Sequence, residues 1–391
     1  MKTKRLQLHE LRALIINGIT ASVAVGLSAN VLRNREIEPR PWKDGTAAPL
    51  IEVLVPARNE EANILQLLQT LLRQDYPHER YRITVVDDGS TDATATLARN
   101  WAACYSLLRV VEAPSLPEGW TGKNHALWTG ARQAGGADWL LFVDADTRHH
   151  PFMLSSVVQH AEAIKADLLS LITGMRLESF WDRLIVPQVG ELYTLLVGSM
   201  DAVNGRGQSA AANGQFILVR PQLYREVGAI DAVRADVAED RALAAASKAA
   251  GATIRLEYGR RLVNTNVYDS FGSMWRGYSK TLFWATGNDA RRALLVALSL
   301  TFYAFAPIVD LIRTTAASES HQGRTRLRNA SLQLFPMMLL RAAVCRQMGV
   351  PLRYAATYPL SVALGNAMLL YSLVRVLSGR GVGWKGRTYR K

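Results

Sequence analysis

The most constraining feature of this sequence is an apolar run that ends at two carboxylates. Residues 139–143 are uninterrupted apolar residues, and Asp144 and Asp146 follow directly. Such a run is typical of a strand buried on both faces, and open α/β sheets bind their ligands outside the carboxyl ends of strands. Two carboxylates so close repel each other unless a cation compensates, and oxygen ligands suit Mg²⁺ or Mn²⁺. Taken alone, an Asp-x-Asp sequence is more often a turn, so its neighbours must decide.

The preceding sequence predicts strands that alternate with helices. The predicted elements are a strand at 51–55, a helix with an apolar stripe at 64–72, a strand at 83–86, a helix at 92–103 and a strand at 107–111. We expect the first strand to stop at Pro56 and Asn59 to cap the helix that follows it. Alternation of this kind indicates a parallel α/β sheet.

Three polar loops fall at the predicted strand ends, at 56–60, 87–90 and 144–146. The carboxyl ends of neighbouring parallel strands converge on one crevice. Carboxylates there can accept hydrogen bonds from a base N–H or ribose hydroxyls, and Gly89 lets the backbone approach closely. Each loop alone fits an ordinary βα turn, but three such loops at once are much less expected by chance. The pattern favours a ligand site at this edge of the sheet.

These motifs, in this order, resemble the family 2 glycosyltransferases over about residues 50–285. The segments that carry the resemblance are Pro56-x-x-Asn-Glu60, Val85-Val-Asp-Asp-Gly-Ser-Thr-Asp92, Gly122-Lys123, Asp144-Ala-Asp146, Asn213-Gly-Gln215 and Glu239-Asp240. The resemblance implies a GT-A fold, a nucleotide-sugar donor such as a UDP- or GDP-sugar, a divalent cation (Mg²⁺ or Mn²⁺) and inversion at the anomeric carbon.

The resemblance also implies roles for individual residues. The donor-binding set is Pro56, Arg58, Glu60, Asp87, Asp88, Lys123 and Asp144, with Lys123 approaching the diphosphate. The metal set is Asp144 and Asp146, with Asp146 the direct ligand, and the acceptor-side set is Asn213, Gly214, Gln215 and Glu239. Asp240 is the implied catalytic base. From the residues alone, Glu239 and Asp240 equally begin a helix, where acidic side chains favour the dipole.

The sequence departs from processive and ceramide-type relatives after the base. Those relatives carry Gln-x-x-Arg-Trp, whereas here the region reads Ser273-Met-Trp-Arg-Gly-Tyr-Ser-Lys280. Arg276 and Lys280 lie on one predicted helical face, where they contact either the diphosphate or anionic lipid. This departure disfavours a polysaccharide synthase. The segments 117–124 and 384–389 are similar to the hopene-associated members, and carotenoid and ceramide glycosyltransferases are more distant.

Charge and hydropathy indicate a membrane partner. The 391 residues are 49% hydrophobic and carry a net charge of +13, with basic residues close to apolar runs. That distribution favours a membrane surface over nucleic acid, and no nucleic-acid-binding module is recognisable. His125, His149 and His150 match no metal-ligand spacing. Cys104 and Cys345 are interpreted as two buried free thiols.

The predicted organisation has membrane helices on both sides of the catalytic domain. The segments are an N-terminal transmembrane or membrane-anchoring helix at 1–33, a linker at 34–49, the GT-A catalytic domain at 50–270, an amphipathic interface helix at 271–290, C-terminal membrane helices at 291–378 and a basic cytoplasmic tail at 379–391. For the first segment, an interfacial helix and a cleaved signal peptide remain alternatives. Apolar runs at 293–309, 330–345 and 354–374 leave the number of C-terminal spans open.

These expectations combine into one function. We expect an inner-membrane enzyme, multi-pass or anchored at both ends, whose cytoplasmic catalytic domain transfers a sugar to a hydroxyl of a hopanoid- or isoprenoid-type lipid. The alternatives are a polysaccharide synthase and a non-catalytic lipid-binding protein on a transferase fold. Intact acidic motifs disfavour the second alternative.

Overall fold

The computed structural model describes residues 36–378, apart from 44, 198–199, 206, 208, 237, 267, 269, 288 and 316–320, together with 18, 22, 26, 382–384 and 387–389. The predicted N-terminal membrane helix at 1–33 therefore lies outside the described residues, except at three isolated positions. The side chains of the predicted basic tail at 379–391 also lie outside them.

A seven-stranded sheet forms the centre of the fold. Its strands are β1 (Ile51–Ala57), β2 (Tyr81–Asp87), β3 (Leu108–Glu112), β4 (Trp139–Val143), β6 (Leu168–Ile172), β8 (Phe216–Val219) and β9 (Ile254–Tyr258). The strand order is β3-β2-β1-β4-β8-β6-β9. β8 is antiparallel to both of its neighbours, and the other neighbouring strands run parallel. The prediction of an α/β fold with a mostly parallel central sheet is confirmed.

Two small sheets and twelve described helices complete the chain. The strands are β5 (Thr147–His149), β7 (Gly174–Arg176) and β10 (Val263–Asn266) in one sheet, and β11 (Val382–Trp384) with β12 (Arg387–Tyr389) in the other. The helices are α1 (Ile64–Leu71), α2 (Thr94–Ala102), α3 (Gly122–Ala131), α4 (Met153–Ala163), α5 (Phe180–Val197), α6 (Met200–Asn204), α7 (Pro221–Glu226), α8 (Glu239–Ala249), α9 (Phe271–Ala285), α10 (Ala290–Thr315), α11 (His321–Gln347) and α12 (Tyr358–Leu377).

The apolar run of β4 is shared between two cores. Trp139, Leu141 and Val143 join the core that α1 and α4 cover, whereas Leu140 and Phe142 join the core beneath α3. Successive side chains of a strand point to opposite faces, so a strand covered on both sides needs an apolar residue at every position. This placement brings Asp144 and Asp146 to the carboxyl edge of the sheet, as predicted.

The first strand does not stop at Pro56, because β1 runs to Ala57. The carbonyl of Ala57 accepts a hydrogen bond from Asp88 on the β2 side, at 2.9 Å. Backbone polar groups alternate in direction along a strand, so the nitrogen of Pro56 faces β4, whose pairing with β1 ends at Leu54. The missing N–H of Pro56 therefore removes no ladder hydrogen bond.

Asn59 does not cap α1, so that prediction was wrong. Asn59 has a φ of 51°, in the left-handed region that Asn tolerates better than most residues. Its side-chain oxygen accepts the N–H of Thr91 at 2.8 Å. Asn59 therefore ties the loop after β1 to the loop after β2.

The segment predicted as a linker packs onto the sheet. We call residues 36–43 and 45–49 the strap. Ile37 donates its N–H to the carbonyl of Tyr258 in the edge strand β9, at 2.9 Å, and Arg40 donates its N–H to the Ser156 hydroxyl, at 2.8 Å. Ile37 and Ala48 are both buried in the core. The strap thus belongs to the folded body.

By length and composition, two of the described segments are apolar enough to cross a membrane, Ala290–Val309 and Leu352–Leu377. The predicted run at 330–345 lies within α11 and is not one of them. Its Arg341 is fully buried, lies 3.3 Å from the Glu191 carboxylate of α5, and donates to the carbonyl of Leu184 at 2.6 Å. A charged pair therefore joins α11 to α5.

Only one of the two cysteines matches its prediction. Cys345 is buried, whereas Cys104 is exposed just beyond the end of α2. The prediction of two buried thiols is therefore wrong for Cys104, because the chain turns at the surface there.

Candidate functional site

Lys123 is the centre of a cluster of carboxylates from different parts of the chain. Its Nζ lies 2.7 Å from Oδ1 of Asp144 and 2.9 Å from Oε1 of Glu239. We call Asp144, Glu239 and Asp240 around Lys123 the acidic cluster. Although burial favours the neutral amine, the two carboxylates raise the pKa of Lys123, which therefore carries its charge.

Gly214 connects this lysine to the predicted base. Its carbonyl accepts from Lys123 Nζ at 3.4 Å, and its N–H donates to Oδ2 of Asp240 at 2.8 Å. A Cβ at this position would lie 3.0 Å from Lys123 Nζ, 3.1 Å from Glu239 Oε1 and 3.3 Å from Asp240 Oδ2. Glycine therefore allows three polar groups to surround the backbone closely.

Glu239 and Asp240 begin α8, as the residues alone predicted. Oδ1 of Asp240 accepts the N–H of Arg241 at 2.7 Å. Burial, and then the charge of Glu239, raise the pKa of Asp240 to about 6. A carboxyl group with this pKa can accept a proton near neutral pH.

The position of Lys123 is fixed by the start of α3. Thr121 caps this helix by accepting the N–H of Asn124 at 3.3 Å. The Asn124 amide donates to the carbonyls of Val233, Arg234 and Asp236, at 3.0 to 3.2 Å. These bonds hold the first turn of α3 against the segment that precedes Glu239. Asn124 was not among the predicted site residues, although it belongs to the motif at 117–124.

The two loops predicted to line the nucleoside pocket contact each other. Arg58 donates to the carbonyls of Asp88 and Gly89, the second at 3.0 Å. Asp87 and Asp88 are buried, and a carboxylate oxygen of Asp87 accepts the N–H of Ser90 at 3.2 Å. Gly89 has a φ of 69°, which explains the glycine at this turn.

Glu60 lies between these loops and the carboxylates that follow β4. Its N–H donates to the Thr94 hydroxyl at 2.7 Å, and its carboxylate accepts from Asn63 at 2.9 Å. Burial, followed by the charges of Asp144 and Glu60, raises the pKa of Asp146 to about 7. The nucleoside loops and the acidic cluster are therefore electrostatic neighbours.

Asp146 carries the feature that fits a divalent cation. Its Oδ1 is buried without a hydrogen-bond partner, beside the carboxylate of Asp144. Burial also raises the pKa of Asp144, although Lys123 opposes this shift. Among the described residues, no group of three or more His, Cys, Asp or Glu side chains is placed to hold a metal. Two carboxylates that leave the other positions to phosphate oxygens and water match the usual Mg²⁺ pattern.

The predicted acceptor-side residues Asn213 and Gln215 are held by hydrogen bonds to neighbouring segments. The N–H of Asn213 donates to the Ser170 hydroxyl at 2.8 Å. The Gln215 amide accepts from Thr173 at 2.6 Å and donates to Thr265 at 3.2 Å. Thr173 directly precedes β7 and Thr265 lies within β10, so these bonds tie Gln215 to the small sheet.

The comparison with known families decides the class of this domain. Residues 52–187 match the family model described as Glycosyl transferase family 2. The chain carries a glycosyltransferase family 2 domain. The match covers the loops after β1, β2 and β4 and the motif that contains Lys123.

Two curated glycosyltransferases are similar in sequence. AglE of Haloferax volcanii is 31% identical over 121 residues, which make up 31% of this chain and 38% of AglE. The match therefore spans well under half of AglE. The 4,4'-diaponeurosporenoate glycosyltransferase of Staphylococcus aureus is 26% identical over 269 residues, 67% of this chain and 68% of that enzyme.

A solved structure shares the fold over almost the whole chain. It is the mannosyltransferase PcManGT of Pyrobaculum calidifontis, in complex with GDP-Man and Mn²⁺, with a TM-score of 0.54 at 19% identity. The similarity covers 94% of this chain and 97% of that one. The predicted GT-A fold of the glycosyltransferase domain is confirmed.

The two residues predicted to contact diphosphate or membrane lie in α9. Arg276 is exposed, and the side chain of Lys280 lies outside the described part of the structure.

His149 is buried in the glycosyltransferase domain. Burial, followed by the charge of Arg148, lowers the pKa of this histidine to about 3. His149 is therefore a neutral core residue, bonded to the Thr147 hydroxyl at 2.9 Å.

Hydrogen bonds that run from Arg148 through Asn63 support Glu60, and sequence reasoning missed them. Arg148 donates to Asn63 Oδ1 at 3.2 Å and to Gln66 Oε1 at 2.6 Å, and Asn63 donates to Glu60. Arg148 follows Asp146 by two residues. These hydrogen bonds therefore connect the loop after β4 to Glu60 in the loop after β1. The i, i+3 spacing of Asn63 and Gln66 on α1 was the available signal.

Proposed function

We propose that the protein is a membrane-bound inverting glycosyltransferase that moves a sugar from a UDP- or GDP-sugar to a hydroxyl of a hopanoid- or isoprenoid-type lipid. The observation that carries the proposal is the acidic cluster. It holds Asp144, on the donor side, and Asp240, on the acceptor side, around one lysine and one glycine.

On the donor side, the loops after β1 and β2 would hold the nucleoside. Asp87 and Asp88 provide buried carboxylate acceptors, and Arg58 fixes the loop that carries them. Asp144 and Asp146 would hold the divalent cation, which when bound neutralises charge on the leaving diphosphate. The mannosyltransferase with the same fold was solved with GDP-Man and Mn²⁺, which supports this assignment.

On the acceptor side, Asp240 would act as the general base. Its carboxylate takes the proton of the acceptor hydroxyl while the oxygen bonds to the anomeric carbon and the bond to the nucleoside diphosphate breaks. One base and one displacement give inversion. Lys123 is engaged by Asp144 and Glu239, so its role is to hold these two carboxylates in position.

Two features support a lipid acceptor at a membrane. The segments Ala290–Val309 and Leu352–Leu377 are apolar enough to cross a bilayer, and the first exposes large side chains such as Phe302. The similar Staphylococcus aureus enzyme is named as a 4,4'-diaponeurosporenoate glycosyltransferase. We infer an inner-membrane location with the catalytic domain on the cytoplasmic side, where nucleotide-sugars are made.

The test is to incubate membranes that contain the protein with radiolabelled UDP- and GDP-sugars and then to extract the lipids. We expect label in the lipid extract, and its loss in Asp240→Asn, with donor binding retained. Asp231→Asn is the matched control, since it makes the same change at an exposed position.

Two results would contradict the proposal. Label that appears only in a water-soluble polymer would replace the lipid acceptor with a growing polysaccharide. Full turnover by Asp240→Asn would remove the proposed base.

A further inference from the structure

Six aromatic rings from α5, α9 and the segment Leu352–Leu377 form a continuous row. We call this row the aromatic ladder, and its members, in spatial order, are Tyr354, Phe180, Trp181, Phe271, Trp275 and Tyr371. Successive ring centroids are 6.0, 5.2, 4.7, 5.8 and 5.7 Å apart. The rings come from α5, α9, α12 and the short 3₁₀ turn before α12. Centroid distances of this size are those of aromatic rings in direct contact.

The middle of the ladder faces outward. Phe180 is 47% exposed and Trp181 is 38% exposed. Packing between helices explains buried rings, and it does not explain two adjacent large aromatic side chains left open to solvent. Contiguous exposed apolar surface of this kind marks a binding site for an apolar partner.

Two rings of the ladder, Phe180 and Phe271, follow the acceptor side along the sequence. Thr173 and Thr265, which both bond Gln215, adjoin β7 and β10. These strands are parallel, so both leave the small sheet in the same direction. The first leads into Phe180 and the second into Phe271, after seven and six residues. At about 3.3 Å per residue, the Cα atom of each ring residue lies within about 23 Å of the Cα atom of its threonine.

Both ends of the ladder rest on a candidate membrane segment. Tyr354 and Tyr371 belong to Leu352–Leu377. The guanidinium carbons of Arg353 and Arg375 each lie 5.9 Å from the ring centroid of the tyrosine beside them. The ladder is therefore continuous with the apolar helices, charged at its ends and apolar in its middle.

We propose that the aromatic ladder binds the hydrocarbon chain of the lipid acceptor and guides its hydroxyl to Asp240. This inference rests on the proposed function and adds to it the surface that recognises the acceptor. Flat aromatic faces contact saturated and isoprenoid chains equally well, so the ladder selects long apolar chains and leaves selection of the head to Gln215 and its neighbours.

The test uses a photoreactive probe and requires no sugar transfer. Full-length protein in detergent is irradiated with hexadecanol that carries a diazirine in mid-chain, and the labelled peptides are mapped by mass spectrometry. We expect label on the peptides that contain Phe180, Trp181 and Phe271. In the double variant Phe180→Ala/Trp181→Ala this labelling falls about tenfold, the lower end expected for lost apolar contacts in a pocket.

Matched variants distinguish probe binding at the ladder from non-specific adsorption to exposed apolar surface and from misfolding. Phe302→Ala removes a ring that is 71% exposed on α10, and it leaves the labelling of the ladder unchanged. Trp181→Phe keeps a ring and retains most of the labelling. Circular dichroism and vesicle sedimentation of the double variant match those of the unmodified protein.

Several outcomes would overturn the inference. Label distributed in proportion to exposed apolar area, with α10 as strongly marked as the ladder, would mean that the probe only coats the surface. Loss of vesicle sedimentation in the double variant, with labelling unchanged, would make the ladder a bilayer anchor. If the ladder is labelled but no sugar enters the lipid extract, the proposed function fails and the binding surface stands.

Discussion

Removal of the positive charge from Lys123 gives the sharpest test of the acidic cluster. In Lys123→Met a side chain of similar length replaces the ammonium group that lies 2.7 Å from Asp144 and 2.9 Å from Glu239. The side chains of Lys123, Asp144 and Glu239 are 20%, 26% and 9% exposed. The carboxylates therefore lose their cation in a site that water reaches poorly.

The expected cost follows from that burial. Removing one partner of a buried ion pair costs about 3–5 kcal/mol, and the partial exposure of Asp144 places this case near 3 kcal/mol. For a domain of about 200 residues each kcal/mol lowers Tm by about 2–4 °C, so we expect Lys123→Met to melt about 6–12 °C lower at pH 8.

The pH dependence of this loss has a definite sign. Burial already raises the pKa of Asp144 and Lys123 opposes that shift, so without Lys123 the folded-state pKa of Asp144 rises further above its unfolded value. Groups with raised carboxyl pKa values favour the folded state when protonated and oppose it when charged. The difference in Tm between Lys123→Met and the unmodified protein should therefore shrink from pH 8 to pH 5.5, while Lys123 in the unmodified protein stays charged throughout.

The assay is thermal unfolding in detergent, followed by circular dichroism at both pH values. Lys165→Met is the matched control, because it makes the same change at an exposed position, and Lys123→Arg keeps the charge. A Tm of Lys123→Met within 2 °C of the unmodified protein at pH 8, or an equal loss at both pH values, would refute the account of the cluster.

Two further predictions concern Asp240 and the buried pair of Arg341 and Glu191. Because burial and Glu239 raise the pKa of Asp240 to about 6, kcat/KM should fall about tenfold per pH unit below pH 6 as the base becomes protonated. In Glu239→Gln this acid limb moves to lower pH, and an unshifted limb in the pH profile would contradict the assignment. Separately, Arg341→Met should cost about 3–5 kcal/mol of unfolding free energy, because it leaves Glu191 buried without its cation. The double variant Glu191→Gln/Arg341→Met should recover most of that loss in thermal unfolding, and strictly additive losses would argue against the pair.

Local periodicity was enough to predict β1 to β4 and the edge at which the site forms, whereas β6, β8 and β9 were not predicted. The five apolar residues of β4 encode a strand with two covered faces, and any carboxylate directly after it must lie at the carboxyl edge. The ordered motifs then implied the family and the GT-A fold, which the family model and the solved structure support.

What the sequence did not reveal depends on long-range contacts. Lys123 meets Glu239, 116 residues away, and Arg341 meets Glu191, 150 residues away, so no local pattern could pair them. Asn59 was assigned to a helix cap because its type suits one. Its positive φ arises because its side chain bonds a loop from a different strand. Pro56 is tolerated within β1 because the pairing between β1 and β4 ends at Leu54. That end point depends on β4 and cannot be read from the sequence around Pro56.

The strap has a consequence for where this chain can be shortened. β9 is the last strand of the sheet, and Ile37 occupies the backbone hydrogen-bonding position beside Tyr258. A fragment that begins after residue 42 would lack Ile37 and its hydrogen bond to Tyr258. It would expose part of the unpaired edge of β9, and exposed strand edges readily pair with another chain. Aggregation of such a fragment would therefore result from the choice of its first residue, and it would not show that the rest of the fold is unstable.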